Sequence, residues 1–210
     1  MKKIAVLTSG GDSPGMNAAI RAVVRTAVYH DCEAVGVFQG FQGLIAGDFK
    51  RLHVRSVAKI LGRGGTILKS ARCDEFREEQ GRRKAHQQLV EQGVDALVVI
   101  GGNGTFTGAM HFSKETGFPV IGIPGTIDND LSGSDFTIGF DSATNTVVEA
   151  VDKIRDTADS HNRLFFVEVM GRDSGFIALH AGIATGAVAV MTKESEITIE
   201  HLVDILKLGQ

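Results

Sequence analysis

The sequence predicts an α/β protein built on doubly wound, mostly parallel sheets covered by helices. Short β-branched runs alternate with segments of helical period along the whole chain. The runs are about four residues long and unbrokenly apolar, the pattern of parallel strands buried on both faces. Glycine gathers where these runs end, with 26 glycines against 3 prolines in 210 residues, so the glycines mark turns and not a low-complexity linker.

Taken in order, "KIAVL" (3–7) reads as a strand and "GMNAAIRAVVRTAVYH" (15–30) as a helix. In that helix Met16, Ala19, Ile20, Val23, Val24 and Ala27 share one face, while Arg21 and Arg25 share another, one turn apart. "EAVGVF" (33–38) predicts the next strand; after a glycine-rich stretch, "SVAKILG" (56–62) has helical period. "RRKAHQQLVEQG" (82–93) and "GTFTGAMHFSKETG" (104–117) predict helices on either side of the strand "ALVVIGG" (96–102), and "PVIGIPG" (119–125) predicts another strand. Past a loop-rich segment, the long helix "DSATNTVVEAVDKIRDTADSH" (141–161) precedes "RLFFVEVMG" (163–171), read as a strand. "SGFIALHAGIATG" (174–186) is a helix, "AVAVM" (187–191) a strand, and "TIEHLVDILKL" (198–208) a last helix. A domain boundary is expected near Gly139–Asp141, where loop gives way to the long helix.

Composition narrows the function. A formal charge of −3 and a pI near 6.2 leave no basic footprint for nucleic acid, so any phosphate site must be local. The apolar run of "MKKIAVLTSGGD" is too short for a signal peptide, and no stretch approaches the ~20 apolar residues of a membrane span. Cys32 and Cys73 lack metal-ligand spacing and read as reduced thiols. A cytoplasmic protein is expected.

Three strand-to-helix turns can carry chemistry: "TSGGDSPGMN" (8–17), "IGGNGTFTG" (100–108) and "VMGRDSGF" (169–176). Glycine lets backbone N–H groups approach an anion, and the following helix N-terminus adds partial positive charge. One such turn is more often just a tight connection; two or three in one sheet favour phosphate. Neither the P-loop nor the dinucleotide fingerprint occurs.

"PGTIDND" (124–130) ends an apolar run and holds Asp128 and Asp130 one residue apart. They either cap a turn or supply a general base, since an aspartate is ionised at neutral pH and can accept a hydroxyl proton as that oxygen attacks phosphorus. Arg163 and Arg172 bracket "LFFVEV", either as solvated surface groups or as a guanidinium clamp for a sugar phosphate.

With "TSGGDSPGMNAAIR", "KSAR" (69–72), "GGNGT", "PGTIDND", "SHNR" (160–163) and "VEVMGR" (167–172) in this order, the sequence resembles the bacterial ATP-dependent 6-phosphofructokinases from end to end. The resemblance implies a phosphofructokinase-like fold and transfer of the ATP γ-phosphoryl group to the 1-hydroxyl of fructose 6-phosphate in glycolysis, giving ADP, with Mg²⁺, in a homotetramer. It implies a nucleotide-binding domain over 1–140 and the first part of a fructose 6-phosphate domain over 141–210. Gly11, Arg72, Cys73, Gly102, Asn103, Gly104 and Thr105 match the nucleotide site. Thr126, Ile127 and Asp128 match the sugar site, with Asp128 as the base and Asp130 in the same catalytic loop. Arg163 matches a contact to the 6-phosphate of a sugar on a neighbouring subunit, and Met170, Gly171 and Arg172 match contacts to the sugar and the transferring group. Arg21, Arg25 and Arg155 match an effector site for ADP or phosphoenolpyruvate, although Val54 and Val188 stand where the family has an arginine and a glutamate.

Pyrophosphate-using relatives resemble this pattern except for an acidic residue at the position of Gly104 and a lysine at that of Gly125, so the resemblance implies ATP as donor. Two departures qualify it. The chain stops at Gln210, before further family residues of the sugar site, so a truncated product with exposed apolar surface is expected. Asn103 stands where the family has a metal-binding aspartate. An amide oxygen brings no charge to Mg²⁺, so a catalytically impaired homologue that binds nucleotide or sugar phosphate is the alternative.

Overall fold

The structure is a computed structural model that describes residues 1–161, 163–195 and 197–208. Asn162 of "SHNR" and the terminal Gln210 lie outside the described residues. The chain divides into two units, Met1–Thr126 and Ile127–Gln210.

In the first unit β1 (Lys3–Thr8), β2 (Glu33–Val37), β3 (Phe49–Leu52), β4 (Ala96–Gly101) and β5 (Val120–Thr126) lie in the order β3-β2-β1-β4-β5. β1 runs parallel to β2 and β4, β4 runs parallel to β5, and β3 closes one edge antiparallel to β2. The pleat sends alternate side chains to opposite faces. Ala5 and Leu7 of β1 therefore join one core cluster and Val6 the other. Helix α1 (Met16–Tyr29) covers the Val6 face with Met16, Ala19, Ile20, Val24 and Ala27. Helices α2 (Gly40–Ala46), α3 (Glu79–Glu91) and α4 (Asn103–Thr116) cover the Leu7 face through Phe41, Leu44, Ala85, Leu89 and Phe112. Each fully buried leucine, isoleucine or phenylalanine contributes roughly 1.5–3 kcal/mol, so two filled faces account for the doubly wound arrangement.

The glycine-rich stretch departs from expectation. It contains α2 and β3, which periodicity did not reveal, whereas "SVAKILG" is a series of turns. Val57 and Ile60 of that segment are buried in the α1 cluster, but Lys59 has φ 58°. A left-handed residue breaks the helix that the apolar spacing suggested.

In the second unit a two-residue strand β6 (Ile138–Gly139) leads into α5 (Phe140–His161), followed by α6 (Phe176–Thr185) and α7 (Ile199–Leu208). α5 packs along α6, and the Phe140 ring meets His180 edge-on at 5.1 Å. "RLFFVEVMG" and "AVAVM" form no strands. A strand exists only through a hydrogen-bonded neighbour, and these runs find none among the described residues. Leu164, Phe165, Phe166 and Val167 are accordingly all exposed, Phe166 by 74%. No helix among the described residues is long and apolar enough to cross a membrane.

Candidate active site

The sheet of the first unit changes winding direction between β1 and β4. From β1 the chain passes through α1 on one face to β2, and from β4 through α4 on the other face to β5. The turns leaving the two strands diverge, and the crevice between them at the carboxyl edge is where open α/β sheets take ligands. Gly11 lies exposed in the first turn, Gly102 lies in the second, and Asn103 and Gly104 open α4.

The two turns are tied together. Thr105, buried one turn into α4, donates its hydroxyl to the Ser9 carbonyl at 3.0 Å, and Ser9 N–H bonds to the Ile100 carbonyl at 3.0 Å. Gly101 is required by that proximity: a Cβ there would lie 2.4 Å from Thr105 Oγ1 and 2.6 Å from the Ser9 carbonyl oxygen. Around Gly104 a Cβ would meet nothing within 4 Å, so this glycine leaves open space at the start of α4. Asn103 is the first residue of that helix and is exposed at its positive end. Thr126 ends β5 beside Gly102, where an added Cβ would lie 3.3 Å from the threonine Cβ.

The segment carrying Arg72 and Cys73 is brought to the same edge by polar contacts. Buried Asn17 donates to the carbonyls of Arg63 and Gly64 at 3.0 and 3.2 Å and accepts from Ile67 N–H at 2.8 Å. Thr8 Oγ1 pairs with Thr66 Oγ1 and with the Lys69 carbonyl, both at 2.9 Å, and Ser70 donates to the Gly10 carbonyl. Arg72 is exposed just beyond these ties, while Cys73 packs half-buried against the α2–α4 core. Cys32 and Cys73 form no disulfide. Periodicity could not find Asn17, Thr66 and Ser70, which act through residues distant in sequence.

In the second unit the structure gathers Asp128, Asp130, Arg172 and Asp173 into one electrostatic neighbourhood. Partial burial pushes the Asp128 carboxyl above the ordinary aspartate range, with the Asp130 charge adding to the rise and Arg172 opposing it. Ser174, 8% exposed, donates its hydroxyl to the backbone carbonyl of Asp128 at 2.7 Å. Asn129 is left-handed at φ 50°. Its side chain closes the next loop, accepting from Thr137 N–H at 2.9 Å and donating to the Asp135 carbonyl at 3.2 Å. Arg172 is also left-handed at φ 53°. Its Nε lies 3.5 Å from Asp173, which in turn pairs with Lys193. Ile127 is half-buried and Met170 exposed.

The other arginines are placed within their own units. Arg21 donates to the Val57 carbonyl at 2.7 Å, so part of its guanidinium braces the 56–62 turns; Arg25 is exposed one turn on. Arg155, Arg163 and Arg172 all line a cavity of about 1130 Å³ in the second unit, with Leu164, Val188 and Leu206 among its apolar walls.

A divalent cation brought with a nucleotide does not require a protein cage, because Mg²⁺ is commonly held by phosphate oxygens, water and one or two protein oxygens. The described residues fit that minimal role. They include no group of three or more His, Cys, Asp or Glu side chains able to hold a metal, and the acceptor at the α4 N-terminus is the Asn103 amide.

Comparison with known proteins agrees with this architecture. Residues 3–210 match the phosphofructokinase family. The chain is 58% identical over 209 residues to the ATP-dependent 6-phosphofructokinase of Halothermothrix orenii, covering all of this chain and 63% of that protein. It is 55% identical over 210 residues to the enzyme of the same name from Halalkalibacterium halodurans, covering 66% of it. The chain therefore spans about two thirds of the length of these relatives. Among solved structures, the Pichia pastoris phosphofructokinase in the T-state superposes with a TM-score of 0.88 at 42% identity, over 99% of this chain and 24% of that one. The chain belongs to the phosphofructokinase family.

Proposed function

We propose that this chain carries the nucleotide site and part of the sugar site of an enzyme that phosphorylates D-fructose 6-phosphate at its 1-hydroxyl, using ATP. The observation that carries this reading is the crevice at the β1/β4 switch point, where two glycine turns and the Arg72–Cys73 segment are held together by Thr105, Thr8 and Ser70. The exposed Gly11 turn, the half-buried Gly102 and the N-terminus of α4 suit a polyphosphate, and the open space at Gly104 favours a nucleotide over pyrophosphate. The domain reading follows from this assignment, with nucleotide bound by 1–140 and sugar phosphate by the remainder.

In the reaction, Asp128 accepts the proton of the attacking hydroxyl, and partial burial, which raises its pKa, makes it a stronger base than an ordinary aspartate. Asp130 reinforces that basicity through its charge. Arg172 offers a planar guanidinium to the phosphoryl oxygens, where charge is dispersed in transfer. Thr126 and Ile127 place the chain beside the sugar, and Met170 and Gly171 contact it. Asn103 would hold the Mg²⁺ that accompanies ATP, through its amide oxygen or an intervening water, and the ion would supply charge neutralisation at the phosphates. Arg163 serves a sugar on a neighbouring subunit of a homotetramer, and Arg21, Arg25 and Arg155 receive an anionic effector such as ADP or phosphoenolpyruvate.

One observation favours a second reading, a binder with impaired turnover. The amide of Asn103 stands at the exposed first position of α4 and brings no negative charge to the metal. Calorimetry with MgATP and with fructose 6-phosphate, alongside a phosphoryl-transfer assay, tests both. Binding of both ligands with transfer supports the kinase; nucleotide binding without transfer supports the second reading; binding of neither overturns both.

A further inference from the structure

We propose that Ser174 is a positioning residue for the Asp128 base, coupling the carboxylate loop to the arginine turn through a partly buried hydrogen bond. This rests on the kinase reading given above. The hydroxyl bonds to the backbone carbonyl of Asp128, not to its carboxylate, at 2.7 Å. It therefore fixes where the side chain starts without competing for the oxygens that must receive a proton.

The other end of the link is equally constrained. Ser174 N–H closes the turn back to the Gly171 carbonyl at 2.8 Å. A Cβ on Gly171 would lie 2.2 Å from the Ser174 carbonyl oxygen, so only glycine permits this turn. Arg172 projects from its middle with left-handed backbone. The turn is anchored on its far side by Asp173 paired with Lys193 and by Glu194, which accepts from Gly175 N–H at 2.9 Å at the start of α6. Asn129 holds the other flank of Asp128 through Thr137 and Asp135. Ser174 thus supplies a hydrogen bond that joins two separately braced loops, one bearing the base and one bearing the guanidinium.

A partly buried link between two braced loops controls geometry more than stability. Placement errors near 1 Å at a reacting centre can cost on the order of 100-fold in rate, whereas one neutral hydrogen bond contributes only modestly to folding. Removing the hydroxyl lets the Asp128 loop relax toward water, and the charges facing that carboxyl, Asp130, Arg172 and Asp173, rearrange with it.

The experiment compares the wild-type chain with Ser174→Ala and Ser174→Thr in two measurements. Carboxyl-detected NMR titration, with the Asp128 resonance assigned by Asp128→Asn, should show its midpoint falling toward the ordinary aspartate value of about 3.9 in Ser174→Ala and staying at the wild-type position in Ser174→Thr. Phosphoryl-transfer kinetics should show kcat lowered about 10-fold or more in Ser174→Ala at unchanged KM for ATP, with recovery in Ser174→Thr. An Asp128 titration identical in wild type and Ser174→Ala overturns the proposal. Should wild-type chain transfer no phosphoryl group, the kinase reading fails on its own, and the titration still decides the role of Ser174. Ser174→Cys, which keeps the shape with a weak donor, carries the same titration if Ser174→Ala does not fold.

Discussion

Arg82 and Glu115 form a two-point ion pair between α3 and α4, with Arg82 Nε and Nη2 at 2.6 and 2.7 Å from the two carboxylate oxygens. The arginine side chain is 9% exposed, and its remaining nitrogen donates to the carbonyls of Phe76 and Arg77. Those carbonyls belong to the short 3-10 turn Glu75–Arg77, which follows directly on Arg72 and Cys73. Phe76 of that turn stacks on Phe41 of α2 at 3.8 Å. A single guanidinium therefore ties two helices to the segment proposed to meet the nucleotide.

Arg82→Ala should lower unfolding stability by about 2 kcal/mol, the scale of losing hydrogen bonds to a charged group, measured by urea denaturation at neutral pH. The hydrogen bond from Arg82 holds the Glu115 carboxyl below its usual range. A depressed carboxylate stabilises the fold above its unfolded pKa, and that contribution is lost as pH falls through the lower folded value. The gap between wild type and Arg82→Ala should accordingly narrow in acid. A gap that does not change with pH would mean that the arginine acts through packing alone.

Two glycines of the proposed donor site should respond oppositely to enlargement. At Gly125 a Cβ would lie 2.8 Å from Ile100 Cγ2 inside the core, so Gly125→Lys should destabilise the first unit, by roughly 1–3 kcal/mol as for other overpacked sites. At Gly104 there is open space, and an acid in the first turn of a helix is favourable. Gly104→Asp should therefore keep or raise the melting temperature while weakening MgATP binding in calorimetry. Unaltered ATP affinity would remove Gly104 from the nucleotide site.

The contrast between these glycines also marks what could be read from sequence. The strands and long helices of the first unit were legible because β1 and β4 are unbroken apolar runs, buried on both faces, and α1 repeats apolar residues at helical period. "SVAKILG" misled because apolar spacing does not register the left-handed backbone of Lys59. "LFFVEV" and "AVAVM" misled for a different reason, since a run can have strand character without a strand to pair with. At the candidate site the glycine turns and Asp128 were visible as motifs. Ser174 was not, because its hydroxyl acts on a carbonyl 46 residues earlier in the chain, and no local pattern encodes that meeting.

Asp128→Asn should separate stability from activity. Partial burial raises the Asp128 pKa in the fold above its unfolded value. The ionised carboxylate therefore costs stability, and the loss appears as pH rises through the folded pKa and is absent below the unfolded one. The amide variant should melt higher than wild type at pH 7, with the difference disappearing in acid. The same change should lower phosphoryl transfer by a factor of about 10²–10⁴, the usual contribution of a general base. A variant that transfers at the wild-type rate would exclude Asp128 as the base.

Asn103→Asp tests the position where the resemblance implies a metal-binding aspartate. The residue opens α4 at its exposed N-terminus, so a carboxylate there should stabilise the helix by about 0.3–1 kcal/mol, seen as a slightly raised melting temperature. Its larger effect should be on catalysis. A preorganised charge facing the metal–phosphate complex is worth roughly 2.7–4 kcal/mol in the transition state, so transfer should rise about 10²–10³-fold while MgATP affinity changes far less, because the backbone N–H groups of the glycine turns bind phosphate in both forms. Equal turnover in the two forms, measured with MgATP saturating, would show that the amide suffices through a bridging water and would remove the impaired-binder reading.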